Sequence, residues 1–340
     1  MKVYIPYQQA PKHDAFEGAR LRKTLKGQCE LSGLEWTDQP LSPDIAHFLS
    51  PREETEEMEM LWRHIPVVVS ALYAENDMYV RFFDGNKQSP LSPRSLRVLN
   101  NADLVLVPAE YAKADLRKAG VVTQIEVAEP SVNLDRFAET NLEREIFPRY
   151  FGIRPNDFIA VSTGEFSDGE TIARITELAA CCQAIQFYFF GSTRRQSPRL
   201  PVRFHSPLIP KNLHFKSIVQ DDVYRSALMR SSVYVSLHPH RANVVGVLEA
   251  FAAKKQVVAL ESETQNPWLV HEKTGFLFPD VKSMGEYLSS LYSKNAPSTI
   301  MAAFAIAKSH SLQAGANRLK ELYLSLLEKR TLKGKEDIHA

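Results

Sequence analysis

Short, unbroken apolar runs alternate with longer amphipathic segments along almost the whole chain. The clearest runs lie at 67–69, 103–108, 233–237 and 256–260, and they are rich in Val and Leu without a regular polar alternation. Such runs are typical of parallel strands buried on both faces, and the amphipathic segments between them predict right-handed crossover helices. The sequence therefore predicts an α/β protein built on parallel sheets.

The alternation occurs in two sets, which a loop near 148–157 separates. A length of 340 residues also suits two domains better than one. We therefore expect two doubly wound, Rossmann-like domains that face a cleft, over 1–150 and 151–305. An amphipathic helix is expected within 306–340.

The first predicted helix covers 16–31 and carries basic side chains on its outward face. They are Arg20, Arg22, Lys23 and Lys26. A basic surface helix can dock on anionic lipid, but a solvated helix face is the commoner explanation. The acidic run 53–59 predicts another helix start, because carboxylates favour the positive end of the helix dipole.

Composition excludes several classes of protein. The balance of 41 Lys and Arg against 40 Asp and Glu gives a charge of +1, which argues against a dedicated nucleic-acid binder. No apolar run approaches the roughly 18 residues that span a bilayer, and the polar N-terminus is unlike a secretory signal. Cys29, Cys181 and Cys182 lack metal-ligand spacing. We expect a cytoplasmic protein without a bound metal.

Loops after predicted strands are the candidate sites, because open α/β sheets bind ligands beyond the carboxyl ends of their strands. In the loop 8–18, Gly18 either lets the backbone approach a phosphate or belongs to a flexible connection. A GxGxxG fingerprint is absent, which argues against a nicotinamide cofactor. After the run at 67–69, Glu75 and Asp77 are either general acids or bases, or solvated loop carboxylates.

The turn 163–169 follows the first strand of the second set. It carries Gly164 and two carboxylates, Glu165 and Asp168, but no Lys or Arg. Its strand-to-helix form makes Gly164 and Glu165 candidate ligand contacts.

The loop and Ala-rich helix after 233–237 are the most informative segment. The free backbone N–H groups at the start of this helix are those of Asn243, Val244 and Val245. They form an anion site that suits a nucleotide diphosphate. Arg241 or His240 can balance the diphosphate charge, and Glu249 can accept hydrogen bonds from ribose hydroxyls. His238 and His240 have no further metal ligands nearby and are interpreted as loop residues.

Several segments match one known pattern. The run 248–252, followed by Val257 and Val258, matches the second half of a signature in which two Glu residues, separated by seven residues, lead into a helix-to-strand run. Other matching segments are 102–108, 111–113, 132–137, 267–269 and 274–276. Over most of residues 1–280 the chain resembles the retaining family-4 glycosyltransferases of the GT-B fold. Within that family it is most similar to the bacterial enzymes that extend diacylglycerol glycolipids at the inner membrane face.

The resemblance implies an acceptor-side domain at 1–150, a donor-side domain at 151–305 and a C-terminal helix within 306–340 that crosses back to the first domain. It implies hexose transfer from a nucleotide sugar, UDP-hexose, to a glycolipid or another cell-envelope acceptor. It also implies that no metal or other cofactor is needed, and that the protein attaches peripherally to the inner membrane face. Arg241 and Glu249 are then the candidate catalytic residues.

Three departures from the family pattern concern charge. Arg241 stands where the family has its first Glu, which contacts the transferred sugar. Glu165 and Asp168 occupy the turn where the family has two basic residues, and no His lies near 70–73, where the family has a catalytic-site His. A loss of about 4 kcal/mol of electrostatic transition-state stabilisation slows a reaction about a thousandfold.

These departures leave two functions open. One is an active transferase, and the other is a catalytically silent homologue that binds a ligand or stabilises an active partner transferase. A third interpretation is an unrelated two-domain α/β binding protein.

Overall fold

The computed structural model describes residues 1–6, 16–49, 51, 61–62, 64–71, 91, 93–138, 144–166, 168–192, 209–217, 221–238, 244–261, 266–293 and 298–339. For residues 16–21, 165, 192, 217, 244, 293 and 331–339 it describes the backbone alone.

The strands are β1 (Lys2–Tyr4), β2 (Glu35–Thr37), β3 (Ile45–Phe48), β4 (Val67–Ser70), β5 (Leu104–Val107), β6 (Ile125–Val127), β7 (Ile159–Glu165), β8 (Gln186–Ser192), β9 (Leu213–Ser217), β10 (Val233–Ser236), β11 (Gln256–Leu260) and β12 (Phe276–Phe278). The α-helices are α1 (Phe16–Leu31), α2 (Pro93–Asn101), α3 (Glu110–Lys118), α4 (Ile146–Phe151), α5 (Gly169–Cys181), α6 (Asp221–Arg230), α7 (Val244–Ala252), α8 (Val281–Ser293), α9 (Ile300–Ser309) and α10 (Leu312–His339). A 3-10 helix covers Leu134–Phe137.

The described residues divide into two compact units. The first unit comprises those within Met1–Lys12, Leu21–Pro130 and Leu312–Ala340, and the second comprises those within His13–Arg20 and Ser131–Ser311. Each unit contains one six-stranded sheet, and all the strand pairs in both sheets are parallel. The predicted α/β class with two parallel sheets is confirmed.

The sheet of the first unit has the strand order β2-β1-β3-β4-β5-β6. Every residue of β3, β4 and β5 is buried, as their unbroken apolar runs predict. Leu99 of α2 and Leu116 of α3 belong to one buried apolar cluster with Val69 and Val105 of the sheet. Helices therefore cover this face of the sheet and make it part of the core.

A row of buried, hydrogen-bonded polar side chains crosses the other face of this sheet. His47 alternates with Ala46 and Phe48 along β3, so its side chain points away from theirs. Its Nδ1 lies 2.5 Å from the Tyr323 hydroxyl of α10, and its Nε2 lies 2.7 Å from Ser70 Oγ. Burial lowers the pKa of His47 to about 3, so the ring is neutral near pH 7 and provides one N–H donor and one acceptor. The contacts attach the last helix to the centre of the sheet.

We expect Tyr323→Phe to lower the free energy of unfolding by about 1–3 kcal/mol, because one ring nitrogen of His47 loses its partner while it stays buried. Urea unfolding followed by circular dichroism measures the change. Tyr292→Phe is the matched control, since Tyr292 is 55 % exposed. Equal losses in the two variants would contradict the role assigned to the Tyr323 hydroxyl.

The sheet of the second unit has the strand order β12-β11-β10-β7-β8-β9. Its central strands are buried on both faces. Val257 and Ala259 of β11 belong to one apolar cluster, and Val258 and Leu260, which alternate with them, belong to another. A strand with two apolar neighbourhoods needs an unbroken apolar run, which explains why β11 shows no polar alternation.

Two features of the first unit differ from expectation. Arg22 is only 3 % exposed, so its predicted outward position on α1 is wrong. Arg22, Leu25 and Cys29 follow one another at helical spacing and share the buried face of α1. The sequence also gives no signal for β2, a three-residue strand at the end of the sheet with one exposed and two half-buried side chains.

The acidic run 53–59, predicted to begin a helix, lies outside the described residues. Among the helices that the structure describes, none combines the length and the apolar character that a membrane span requires.

Candidate functional site

The order of strands in the second unit reverses at β7. The chain runs from β7 to β8 and β9 on one side of β7, and then returns to place β10 on its other side. Open α/β sheets bind ligands at the carboxyl ends of the two strands that flank such a reversal. The ends of β7 and β10 are therefore the candidate site, and we call this place the β7/β10 edge.

The side chain of His238 lies over the end of β7. Its Nε2 is 3.1 Å from the carbonyl oxygen of Thr163. Because a carbonyl oxygen only accepts, Nε2 carries the hydrogen, and Nδ1 is the nitrogen that gains a proton when the ring becomes charged. Gly164 leaves room for this ring: a Cβ there would lie 2.7 Å from Phe189 Cζ and 3.3 Å from His238 Cε1. The glycine thus fits the close packing around the imidazole.

Asp168 caps the N-terminus of α5 with its own carboxylate. Thr171 donates to it through its backbone N–H at 3.1 Å and through its hydroxyl at 2.6 Å. The same carboxylate lies 3.8 Å from Nδ1 of His238. Burial raises the pKa of Asp168, but the contacts with His238 and Thr171 outweigh it and lower the pKa to about 2. An ionised side chain of the protein therefore occupies this helix start at neutral pH.

One guanidinium reaches the same edge. Arg174, in the second turn of α5, donates to the carbonyl oxygen of Leu237 at 3.4 Å and to Glu170 at 2.7 Å. The turn 163–169 itself has no cation, as the sequence shows, but the fold brings this one to the end of β10. Because Glu170 lies beside the guanidinium, the two charges largely cancel.

Glu249 is an interior side chain that is 3 % exposed. Tyr224 of α6 donates its hydroxyl to Oε2 at 3.0 Å, and Arg136 of the 3-10 helix lies 3.4 Å from Oε1. The other terminal nitrogen of Arg136 is 2.5 Å from Asp221 at the start of α6. Three elements thus meet at an ion-paired carboxylate, and Arg136 compensates its charge.

The other predicted site residues have simpler positions. Val244 and Val245 begin α7, Glu165 ends β7, and Gly18 is the third residue of α1. Arg241, Asn243, Glu75 and Asp77 lie outside the described residues. The structure therefore brings Gly164 and Asp168 together around His238, and it places Glu249 in a separate cluster with Arg136.

Sequence reasoning missed the partners of the predicted residues. Arg136 is 113 residues from Glu249, and His238 is 75 residues from Thr163, so no spacing rule connects them. A usable signal existed only for His238, because it directly follows a predicted strand, where ligand contacts concentrate in α/β sheets.

The described residues contain no group of three or more His, Cys, Asp or Glu side chains that could hold a metal ion. Cys29, Cys181 and Cys182 are free thiols. Burial, with a smaller effect of Glu30, raises the pKa of Cys29 to about 12, so this thiol is not a nucleophile at neutral pH.

Solved structures with the same architecture identify the fold. HepE of Anabaena, in complex with UDP and glucose, aligns with a TM-score of 0.69 at 14 % identity, over 95 % of this chain and 99 % of HepE. Sucrose-phosphate synthase from Thermosynechococcus elongatus aligns with a TM-score of 0.70 at 13 % identity, over 96 % and 98 %. The chain has the GT-B fold.

A third structure with this GT-B architecture is WaaG, a glycosyltransferase involved in lipopolysaccharide biosynthesis, with a TM-score of 0.64 at 15 % identity over 95 % of this chain and 99 % of WaaG. HepE has also been crystallised with UDP-glucose. No family model matches the chain, and no curated protein matches it. At these identities the likeness shows the GT-B fold and leaves the activity to be tested.

We expect Gly164→Ala to lower the free energy of unfolding by about 1–3 kcal/mol, because the added methyl group would overlap the buried Phe189 ring and press on His238. Thermal unfolding measures the loss. Gly169→Ala is the control, since a Cβ there meets nothing within 4 Å. A Gly164→Ala protein as stable as the control would show that the packing at the β7/β10 edge yields easily.

We expect Arg136→Met to lower the free energy of unfolding by about 3 kcal/mol, because it leaves the carboxylate of Glu249 buried without its cation. The double variant Arg136→Met/Glu249→Gln should recover part of this loss, since the buried charge is then gone. A denaturant double-mutant cycle measures both effects. Additive losses would show that the two side chains do not act as a pair.

Proposed function

We propose that the second unit binds a nucleotide sugar, with a UDP-hexose as the donor. The chain would then transfer the hexose to a glycolipid or another cell-envelope acceptor, as a retaining family-4 glycosyltransferase. The observation that carries the proposal is the likeness over 95 % of the chain to HepE, which has been crystallised with UDP and glucose and with UDP-glucose. The strand reversal at the β7/β10 edge supports the same position for the donor.

The start of α7 is the proposed place of the donor diphosphate. This helix begins at Val244, and only seven residues separate it from the end of β10 at Ser236, so the chain connects its positive end directly to a strand of the β7/β10 edge. The backbone N–H groups of Asn243, Val244 and Val245 would bind the phosphate oxygens. Arg241 would supply a cation there, in place of the carboxylate that the family has at this position.

Glu249 is the proposed acceptor for ribose hydroxyls. Each carboxylate oxygen has two lone pairs, so a ribose hydroxyl can donate to it beside Tyr224 or Arg136. The side chain is 3 % exposed, so donor binding must open a path to it. In this proposal Arg136 holds the carboxylate in place for the ribose.

A catalytically silent homologue is the second candidate function, and two observations favour it. The Asp168 carboxylate lies at the helix start where family members carry basic residues next to the leaving diphosphate. Arg241 replaces the carboxylate that contacts the transferred sugar. Such a chain would still bind a ligand in the donor site, or stabilise an active partner transferase.

The acceptor class rests on the sequence resemblance to enzymes of diacylglycerol glycolipids. A membrane acceptor would place this chain in the cytoplasm as a peripheral protein at the inner face. On α1, Lys23 is exposed, as a side chain that contacts anionic lipid must be. Lys26 is 3.8 Å from Glu30 of the same helix and 4.3 Å from the centre of the Trp36 ring in β2, so these two neighbours already compensate part of its charge.

Calorimetry with UDP tests the donor site. We expect binding that Glu249→Ala weakens at least about tenfold, because the ribose loses a charged acceptor worth about 1.5–3 kcal/mol. Glu286→Ala is the control, since Glu286 is an exposed residue of α8 in the same unit. A thermal melt of each variant separates lost binding from lost folding, and wild-type protein without affinity for UDP would refute the proposal.

Turnover separates the two candidate functions. The purified chain is incubated with UDP-glucose or UDP-galactose and a bacterial membrane extract, and UDP release and glycolipid products are measured. Release of UDP that Glu249→Ala abolishes supports the transferase. UDP binding without turnover on any common donor supports the silent homologue instead.

A further inference from the structure

We propose that His238 is the cationic contact for the diphosphate of the nucleotide sugar. In this inference, which rests on the proposed function, His238 replaces the basic pair that is missing from the turn 163–169. Protonation of its Nδ1 would remove the net negative charge at the β7/β10 edge that otherwise repels an anionic ligand.

The position of the ring is the first argument. His238 directly follows Leu237 at the end of β10, and its hydrogen bond to the Thr163 carbonyl brings it across to the end of β7. The side chain is 20 % exposed, so it belongs to the packed edge and still offers a surface to a ligand. Gly164 lies beneath it without a side chain that would cover this surface.

The groups that the two ring nitrogens of His238 face are the second argument. Nε2 donates to a carbonyl oxygen in every charge state, so only Nδ1 changes. Nδ1 lies 3.8 Å from the Asp168 carboxylate, which is itself 32 % exposed. With a neutral imidazole this pair of side chains carries one negative charge, which repels a diphosphate. With a protonated imidazole the pair is neutral, and this repulsion is removed.

The other charged side chains near His238 do not supply the same change of charge with pH. On α5, Arg174 and Glu170 form a close pair of opposite charge. Glu165 ends β7, and His240 and Arg241 follow on the chain of His238 itself. Among these side chains only the two histidines ordinarily change charge between pH 5 and pH 8. His240 is therefore the competitor that an experiment must exclude.

The sign of the effect follows from this charge change. Lower pH removes the net negative charge beside the ligand, so the affinity for an anionic donor should rise as the pH falls. One unit charge at roughly 5 Å in a partly hydrated site changes an affinity about tenfold or more. We therefore expect the Kd for the donor to increase about tenfold from pH 5.5 to pH 8.

Calorimetry with UDP-glucose between pH 5.5 and pH 8 tests this inference. UDP-glucose is preferable to UDP because its phosphates are diesters, whereas a terminal phosphate titrates near pH 6 and would change the ligand's own charge. His238→Gln should bind with a Kd that is independent of pH, since the amide can still donate to Thr163 but cannot become charged. His240→Gln is the matched control and should keep the wild-type pH dependence.

Two further measurements complete the test. Asp168→Asn retains a residue that caps helices well and removes the negative charge, so it should bind UDP-glucose several-fold more tightly than wild type at pH 8. Uridine, which has no phosphate, should bind with a pH-independent Kd. Circular dichroism of each variant at each pH confirms that the proteins compared are folded.

The outcomes distinguish this inference from the proposed function. Wild-type protein that binds UDP-glucose at no pH overturns both. Binding with a constant Kd overturns the role of His238 and leaves the donor site intact. A pH dependence that persists in His238→Gln, or disappears in His240→Gln, assigns the charge to another group and also overturns it.

Discussion

Parallel pairing between β7 and β10 is the constraint on which the candidate site depends. Both strands are held by apolar side chains on the two faces of the sheet, so neither can slide without exposing a core. Their carboxyl ends are therefore fixed side by side. Thr163 and His238, which are 75 residues apart in the chain, become neighbours for this reason.

The charges of the second unit are arranged mainly against one another. Asp168 binds the start of α5, Arg174 pairs with Glu170, and Glu249 lies with Arg136. The contacts of Glu249 and Asp168 satisfy carboxylates that would otherwise be costly to bury, whereas Arg174 and Glu170 pair at the surface. In the proposed function, a diphosphate entering the β7/β10 edge would meet an internal anion, and protonation of the imidazole beside Asp168 would change the charge that it meets.

Local pattern was enough to predict most strands and helices. A strand such as β11, buried on both faces, has a composition that differs sharply from its surroundings. β2 was not predicted because an edge strand of three residues needs no apolar run. The outward position predicted for Arg22 was wrong because the long apolar part of an Arg side chain can pack on the buried face of a helix such as α1.

The candidate site was harder to predict than the fold. The residue types at Gly164, Asp168 and Glu249 suggest chemistry, but their surroundings come from distant segments. Arg136 contacts Glu249 across 113 residues of sequence, and the local sequence around either residue does not predict this contact. Whether these residues act on a nucleotide sugar remains a prediction from the sequence, because similarity of fold at 13–15 % identity does not carry residue roles with it.

The contact between His47 and Tyr323 has a consequence for synthesis on the ribosome. These two residues are 276 positions apart, so the first unit cannot close one face of its sheet until almost the whole chain has emerged. At about 5–20 residues per second this delay is on the order of tens of seconds. The second unit, whose described residues all precede α10, is complete earlier. The nascent chain thus carries one uncovered face of this sheet at its older end while the second unit is being completed.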